Sequence, residues 1–423
     1  MKMENFETLQ TRFGYTPEPT TKSFVPPLYM TNGYLYDSAR DAQEIFELKK
    51  PGNIYSRLGN PTTAIFEERL NALEGGVGAL AFSSGHAALV GAIVTMMQAG
   101  QHIVAGKTLY GGTVNMLTYT MPRLGITTTF VDTDNPENFR KAIKSETRLL
   151  YIEVIGNPQM NLCDIDAICS IAHEAGIPVL VDATLSTPYL YKPLEHGADL
   201  VLHSTTKYIC GHGNTMGGAL IDGGVFNWKN GKYPLLTEPD PSYHGVVYAD
   251  NFGKAGFITR ARAGTMRDLG GCPSPFNSFL LLQGLETLSL RMDRHTSNTL
   301  ELAKYLSGHA AVKRVLHPAL PDSPYKKLYD RDWPRGCGGL FSIELKGGRE
   351  AGAKLIDSLK LFGNVTHFAD VRSMVCHPAT TTHSQMTEEK MIESGISGGL
   401  VRISVGLEHV DDLKADFEQA LKV

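Results

Sequence analysis

Apolar runs of strand length alternate with helical periods through the first two thirds of the chain. After Arg148, LLYIEV is a continuous apolar run. Asp164 then stands where it can cap a helix whose Ile165, Ile168, Cys169 and Ala172 fall at i, i+3, i+4 and i+7, with Gly176 placed to end it. PVLVDAT and DLVLHS follow as two more buried strands. Near-continuous apolar strands separated by helices predict a mainly parallel sheet covered on both faces, an α/β architecture. Ligands of such sheets bind beyond the carboxyl ends of the strands.

Elsewhere the pattern changes. Residues 11 to 52, rich in Thr, Pro and Tyr, hold no sustained period and read as an extended arm. Asn60 and Pro61 supply an N-cap and a first-turn proline for a helix with Phe66, Leu70 and Leu73 on one face, ended by Gly75 and Gly76. Between 223 and 271 the periodicity lapses, and the turn chemistry of EPDPSYHG predicts a long surface insertion. From Pro275 a long helical pattern runs through LLLQGLETLSLRM, and the alternating strands GLFSIEL and LVRISV come after it. This change of style predicts a smaller α+β domain at the C-terminal end. The expected division is an arm over 1–60, a large domain over 61–274 with its insertion at about 223–271, and the α+β domain over 275–423.

Composition narrows the class. The 423 residues exceed what one core needs at roughly 150 per domain. A net charge of −4 with no basic run argues against nucleic-acid and membrane-surface binding. Residues 75 to 106 carry no charged side chain, but Ser83, Ser84, His86, Gln98 and Gln101 interrupt them, and the apolar part from Ala87 to Met97 is a buried-helix length, too short to span a bilayer. The opening MKMENFETLQ places Glu4 and Glu7 where a secretory signal needs apolar residues, and the six cysteines form no CxxC pair and no zinc spacing. A cytoplasmic protein with reduced thiols is expected. His377 and His383 in HPATTTH have no carboxylate or thiolate companion at ligand spacing, so loop hydrogen bonding is expected of them and no metal.

Common nucleotide and hydrolase motifs fail on spacing. Gly100 and Gly106-Lys107-Thr108 have five residues between them where a phosphate loop has four, and HIVA among them reads as a strand. Gly211, Gly213 and Gly217 are one residue too long for the dinucleotide fingerprint and precede a strand, which leaves an oxidoreductase without support. AFSSG has alanine where a nucleophile elbow has its first glycine. Three features survive. Ser83-Ser84-Gly85-His86 opens an apolar helix after a strand, a geometry that suits a phosphate as well as an ordinary cap. Asp182 ends an apolar strand, either as a turn former or as a partly buried carboxylate that needs a cation. Lys207 follows DLVLH through three hydroxyl residues, either as a solvated loop lysine or as a reactive amine. Together they offer a phosphate cradle, an acid for a ring nitrogen and an amine, which are the groups pyridoxal 5′-phosphate (PLP) requires. Such an amine attacks only when neutral, so burial must lower its pKa.

The residues NIYSRLGNPT around Tyr55 and Arg57, SSGHAA from Ser83, LYGG from Leu109, GNP from Gly156, VDAT from Val181, STTKY from Ser204 and VRISVG from Val401 resemble, in order and from end to end, the Cys/Met-metabolism family of PLP enzymes. The resemblance implies PLP fold type I, the aspartate-aminotransferase-like fold. It implies a Schiff base between Lys207 and PLP, with Lys207 then moving protons between substrate Cα and Cβ. Asp182 is to pair with the pyridine nitrogen, Tyr110 to stack on the ring, and Asn157 and Thr184 to lie against it. Ser84, Gly85, His86, Ser204 and Thr206 are to hold the phosphate, joined by Tyr55 and Arg57 from a neighbouring subunit. Arg402 and Ser373 are to take the substrate carboxylate. In LVRISV, Arg402 alternates against Val401, Ile403 and Val405, so it points away from their face into either a cleft or solvent.

The insertion TEPDPSYHG and the run SPFNSFLLLQGLETLSLRMDRH resemble the longer, sulfhydrylase-type members of the family. The activity implied is γ-replacement, in which O-acetyl-L-homoserine and sulfide give L-homocysteine and acetate in methionine biosynthesis. A methionine or cystathionine γ-lyase and a cystathionine γ-synthase share the same anchors. Methionine γ-lyases carry a reactive Cys two residues after the stacking Tyr, and Gly112 stands there. A PLP-binding protein without catalysis is a further alternative. Small-molecule substrates and a homo-oligomer, at least a dimer and commonly a tetramer in the family, are the implied partners.

Overall fold

The computed structural model describes residues 3–381 and 396–422. Seven strands form the larger sheet: β1 (Gly78–Phe82), β2 (His102–Gly106), β3 (Thr127–Val131), β4 (Thr147–Glu153), β5 (Val179–Asp182), β6 (Leu200–His203) and β7 (Gly218–Asp222). Their order is β1-β7-β6-β5-β4-β2-β3. Only β7 runs against its neighbours; the other pairings are parallel. The inner parallel strands are buried almost throughout because helices cover both faces, which is why β5, β6 and most of β4 read as unbroken apolar runs, while the edge strand β3 is half-exposed. Asp164 caps Ile165–Glu174 through a bond from the Ala167 N–H, as the pattern predicts. Asn60 does the same for Pro61–Glu74, whose Phe66, Leu70 and Leu73 are fully buried, and Gly75 ends it at φ +85°.

The smaller sheet is five-stranded: β8 (Val312–Leu316), β9 (Leu340–Leu345), β10 (Gly363–Asn364), β11 (Met374–Cys376) and β12 (Leu400–Ser404), in the order β10-β11-β12-β9-β8. It is mainly antiparallel and carries its own core of Phe341, Ile343, Val401, Ile403, Leu413 and Phe417. The long helical pattern from Pro275 is two helices, Pro275–Glu286 and Leu288–Ser307, because Thr287 leaves the helical region at φ −118°, ψ 11°.

Two expectations are corrected. The stretch from 11 to 52 is not wholly extended: Ser38 accepts the Asp41 N–H and starts a helix, Ala39–Phe46, in which Ile45 alone is buried, too few positions to register as a period. The segment 223–271 is no surface insertion. Short helices at Pro234–Thr237, Tyr248–Asn251 and Gly256–Arg260 lay Trp228, Tyr233, Leu236, Tyr248 and Phe257 into the core behind the large sheet. Trp228 stacks on Phe257 at 5.1 Å. Helices of four or five residues cannot display a 3.6-residue repeat, so turn residues dominate the pattern while the aromatics between them are buried.

No helix among the described residues is long and apolar enough to cross a membrane. All six cysteines are free thiols. His377 bonds Thr380 and the Gly398 carbonyl, as loop hydrogen bonding requires; His383 lies outside the described residues.

Candidate active site

A cavity of about 210 Å³ opens at the carboxyl ends of β1, β2, β4, β5 and β6. Ser84, Gly85, His86, Tyr110, Asn157, Asp182, Thr184, Ser204, Thr206 and Lys207 all line it, ten of the fourteen residues singled out in the sequence.

β1 delivers the chain to Ser84, which caps helix Gly85–Met96 by accepting the Ala87 N–H at 3.1 Å. The first N–H groups of that helix and the positive end of its dipole suit an anion. A side chain at Gly85 would come 2.8 Å from Ser204 Cβ, and one at Gly218 only 2.1 Å from the Ser84 carbonyl, so the cradle closes only around glycine. Thr184 Oγ1 accepts the Ser204 N–H at 2.8 Å, and Thr206 Oγ1 bonds both the N–H and the carbonyl of Gly217, which steadies the turn that carries Lys207.

Asp182 ends β5. One of its oxygens accepts the Thr184 N–H at 2.9 Å and the other the Tyr151 hydroxyl at 3.3 Å. Neither donor is a cation, and burial pushes this carboxyl above its usual range against those hydrogen bonds. A dry carboxylate aimed into a cavity fits a ligand that brings a cationic N–H, as a pyridinium does.

Beside it on β4, in register, stands Glu153, which burial and the charge of Asp182 drive well above the carboxylate range. Glu153 accepts the Tyr110 N–H at 2.6 Å and so fixes the loop after β2. Tyr110 meets the His86 ring edge-on at 5.6 Å, an arrangement that requires Gly112, since a Cβ there would lie 2.6 Å from the Tyr110 ring.

Lys207 is mostly buried. That burial, and then the positive charge of Arg402, hold its amine down to about 8. Nζ lies 2.8 Å from His367 Nδ1 and 4.4 Å above the Phe368 ring. Arg402 is itself buried, which settles its side of the strand: it faces the cleft, not solvent. Its guanidinium reaches the carbonyls of Thr366 and His367 at 3.0 Å each and Asn157 Oδ1 at 3.5 Å. Burial holds its pKa below the usual arginine value.

Three expected residues lie elsewhere. Tyr55 and Arg57 are exposed, pair with each other at 5.5 Å, and line a separate hollow with His244 and Arg267. Ser373 does not line this cavity. It is buried, its hydroxyl bonds Glu408 at 2.8 Å and accepts the Gly406 N–H at 2.8 Å, and it lines an adjoining outer cavity. In turn the sequence reading missed Tyr151, Glu153, His367 and Phe368. Glu153 had a signal, since it ends an apolar strand as Asp182 does; the other three had none.

The profile of the Cys/Met metabolism PLP-dependent enzymes matches residues 7–422. The chain is 47% identical to the O-acetyl-L-homoserine sulfhydrylase of Leptospira meyeri, over 98% of this chain and 96% of that one. It is 45% identical to the homocysteine synthase of Schizosaccharomyces pombe, over 100% and 99%. A crystal structure of an O-acetylhomoserine (thiol)-lyase from Campylobacter jejuni, which holds N′-pyridoxyl-lysine-5′-monophosphate, superposes with a TM-score of 0.96 at 35% identity, over 99% of this chain and 100% of that one. A lowered lysine, a buried carboxylate and a glycine-walled anion cradle in one cavity agree with these likenesses, and the chain belongs to the Cys/Met metabolism family of PLP-dependent enzymes.

Proposed function

We propose that this enzyme catalyses γ-replacement on O-acetyl-L-homoserine: the Cγ–O bond breaks to release acetate, sulfide forms a new Cγ–S bond, and L-homocysteine leaves. The observation that carries the reading is the pairing, in one cavity, of an amine held to about 8 with a buried carboxylate that lacks a cation among its hydrogen-bonding partners. Full-length likeness to sulfhydrylases and a homocysteine synthase supports γ-replacement over elimination.

When bound, PLP supplies an aldehyde for the amine and an electron-accepting ring. Asp182 would hold the ring N–H, Tyr110 would lie over the ring, and Asn157 and Thr184 would flank it. Ser84, Gly85, His86 and Ser204 would bind the phosphate, with Thr206 keeping their turn in place. The Lys207 amine, neutral in part near neutral pH, takes one proton at a time: first from substrate Cα and, once that proton has been passed on, from Cβ, and it gives a proton back after sulfide has added. Arg402 offers its fork to the substrate α-carboxylate. Phe368 keeps water from the amine.

We further propose a homo-oligomer, at least a dimer, in which Tyr55 and Arg57 complete a neighbour's phosphate site. Their exposure supports this, as does the exposed apolar surface of Phe24, Met30 and Leu35 on the same arm. The free thiols support a cytoplasmic location.

The test gives the purified enzyme homoserine esters with sulfide and assays homocysteine against 2-oxobutanoate. Homocysteine from the acetyl ester is expected; predominance of 2-oxobutanoate with sulfide present overturns the reading. Lys207→Ala should lose both the visible absorption of the bound cofactor and turnover.

A further inference from the structure

Residues 366–369 close the pocket from the side of the smaller sheet, and their backbone is fastened at three points. Arg402 holds the carbonyls of Thr366 and His367, and the Ala369 N–H donates to Ser404 Oγ at 2.9 Å. Ala369 sits at φ +68°, a conformation that an alanine adopts only where its surroundings impose it. The bend brings His367 and Phe368 to the same atom, Nζ of Lys207, by two complementary contacts. The imidazole accepts along one N–H direction, while the ring face attracts the charge.

We propose that His367 is a positioning residue for Lys207: its Nδ1 holds the Nζ amine against the wall formed with Phe368 whenever that amine is not bonded to the cofactor. The inference rests on the reading of Lys207 as the reacting amine. A lysine stem has four freely turning bonds. An amine that must alternately leave and rejoin the cofactor therefore needs a resting place within reach of it.

The imidazole suits this task. Burial, then the charge of Lys207, hold it down to about 4, so its lone pair stays available at working pH. The charged groups that face it are Lys207 from the turn after β6, Arg402 from β12 and, from its own segment, Asp370, whose opposite charge pulls the other way and outweighs Arg402 without offsetting burial and Lys207. Nε2 is buried with no partner among the described residues, so the bond to Lys207 is the imidazole's one hydrogen bond there. A hydrogen bond to the charged form of an amine favours that form. His367 thus counteracts part of the lowering that burial imposes on Lys207, and sets how much free amine is neutral.

The test reads this in the full-length protein freed of cofactor. Lys207 is labelled with a brief pulse of acetic anhydride between pH 6 and 10, and the labelled peptide is quantified by mass spectrometry. The unsubstituted protein should show a midpoint near 8. In His367→Leu the midpoint should fall by about one unit, and in His367→Asn, which keeps an acceptor, it should return to within about a third of a unit of the original. A midpoint unmoved or raised in a folded His367→Leu overturns the proposal; should that variant fail to fold, His367→Ala is judged by the same two outcomes. No substrate is present, so a failed homocysteine assay would remove the proposed reaction and leave this result standing, and the converse holds.

Discussion

The pocket has two walls of unlike construction. One is made by the carboxyl ends of parallel strands: Asp182 and Glu153 stand side by side in register, and Lys207 follows β6 through a turn pinned by Thr206. The other is the irregular segment 366–369, held in place by Arg402 and Ser404 on β12 of the smaller sheet. The first wall places charge by backbone register, which the whole sheet enforces. The second places His367 and Phe368 through side-chain bonds to their backbone, so its geometry is only as firm as those few bonds. Under the proposed function the strand-end wall would serve the cofactor, and the fastened segment the substrate and the free amine.

Substitutions can break that division. The largest effect is expected at Asp182→Ala, which under the proposed function removes the partner of a buried cationic N–H: such losses cost about 2–5 kcal/mol, so cofactor affinity in an absorbance titration should fall at least about thirtyfold. An unchanged titration would mean that the strand-end wall does not hold the ring. Next is Arg402→Met, which removes the carboxylate fork and two anchors of the segment together. KM for the amino-acid substrate should rise by about a hundredfold, while the visible band of the bound cofactor persists. Loss of the band with KM preserved would reverse the roles of the walls. The smallest effect is expected at Glu153→Gln. Burial and the charge of Asp182 favour the neutral form of this carboxyl, and glutamine keeps an acceptor for the Tyr110 N–H. Turnover within about threefold of the original is expected in steady-state assays; a loss as deep as that of Asp182→Ala would show that Glu153 must carry charge.

The same contrast explains what could be read in the sequence. Strand ends announce themselves, because an apolar run that stops at Asp182, or turns through hydroxyls to Lys207, is a local pattern with a structural meaning. Arg402 was legible as the charged position in an alternating strand, although only the packed structure separates cleft from solvent. Glu153 belonged to the same class, but was absorbed into LLYIEV as one more strand residue. His367 and Phe368 had no such signal. Their positions depend on Arg402, more than thirty residues further along, and a contact of that span leaves no period behind. The surroundings of Ser373 were hidden for a related reason, since its hydroxyl bonds Glu408, a pairing that only the fold reveals. The burial of 223–271 was hidden likewise, by helices too short to repeat.

The glycine-walled cradle bears on how tightly the site can hold an anion. Because Gly85 and Gly218 let Ser84, Ser204 and the start of β7 pack directly against one another, close packing itself holds that backbone in one shape. Capturing a phosphate there gives up little conformational freedom, so affinity is set by charge and hydrogen bonds rather than reduced by the cost of ordering a loop.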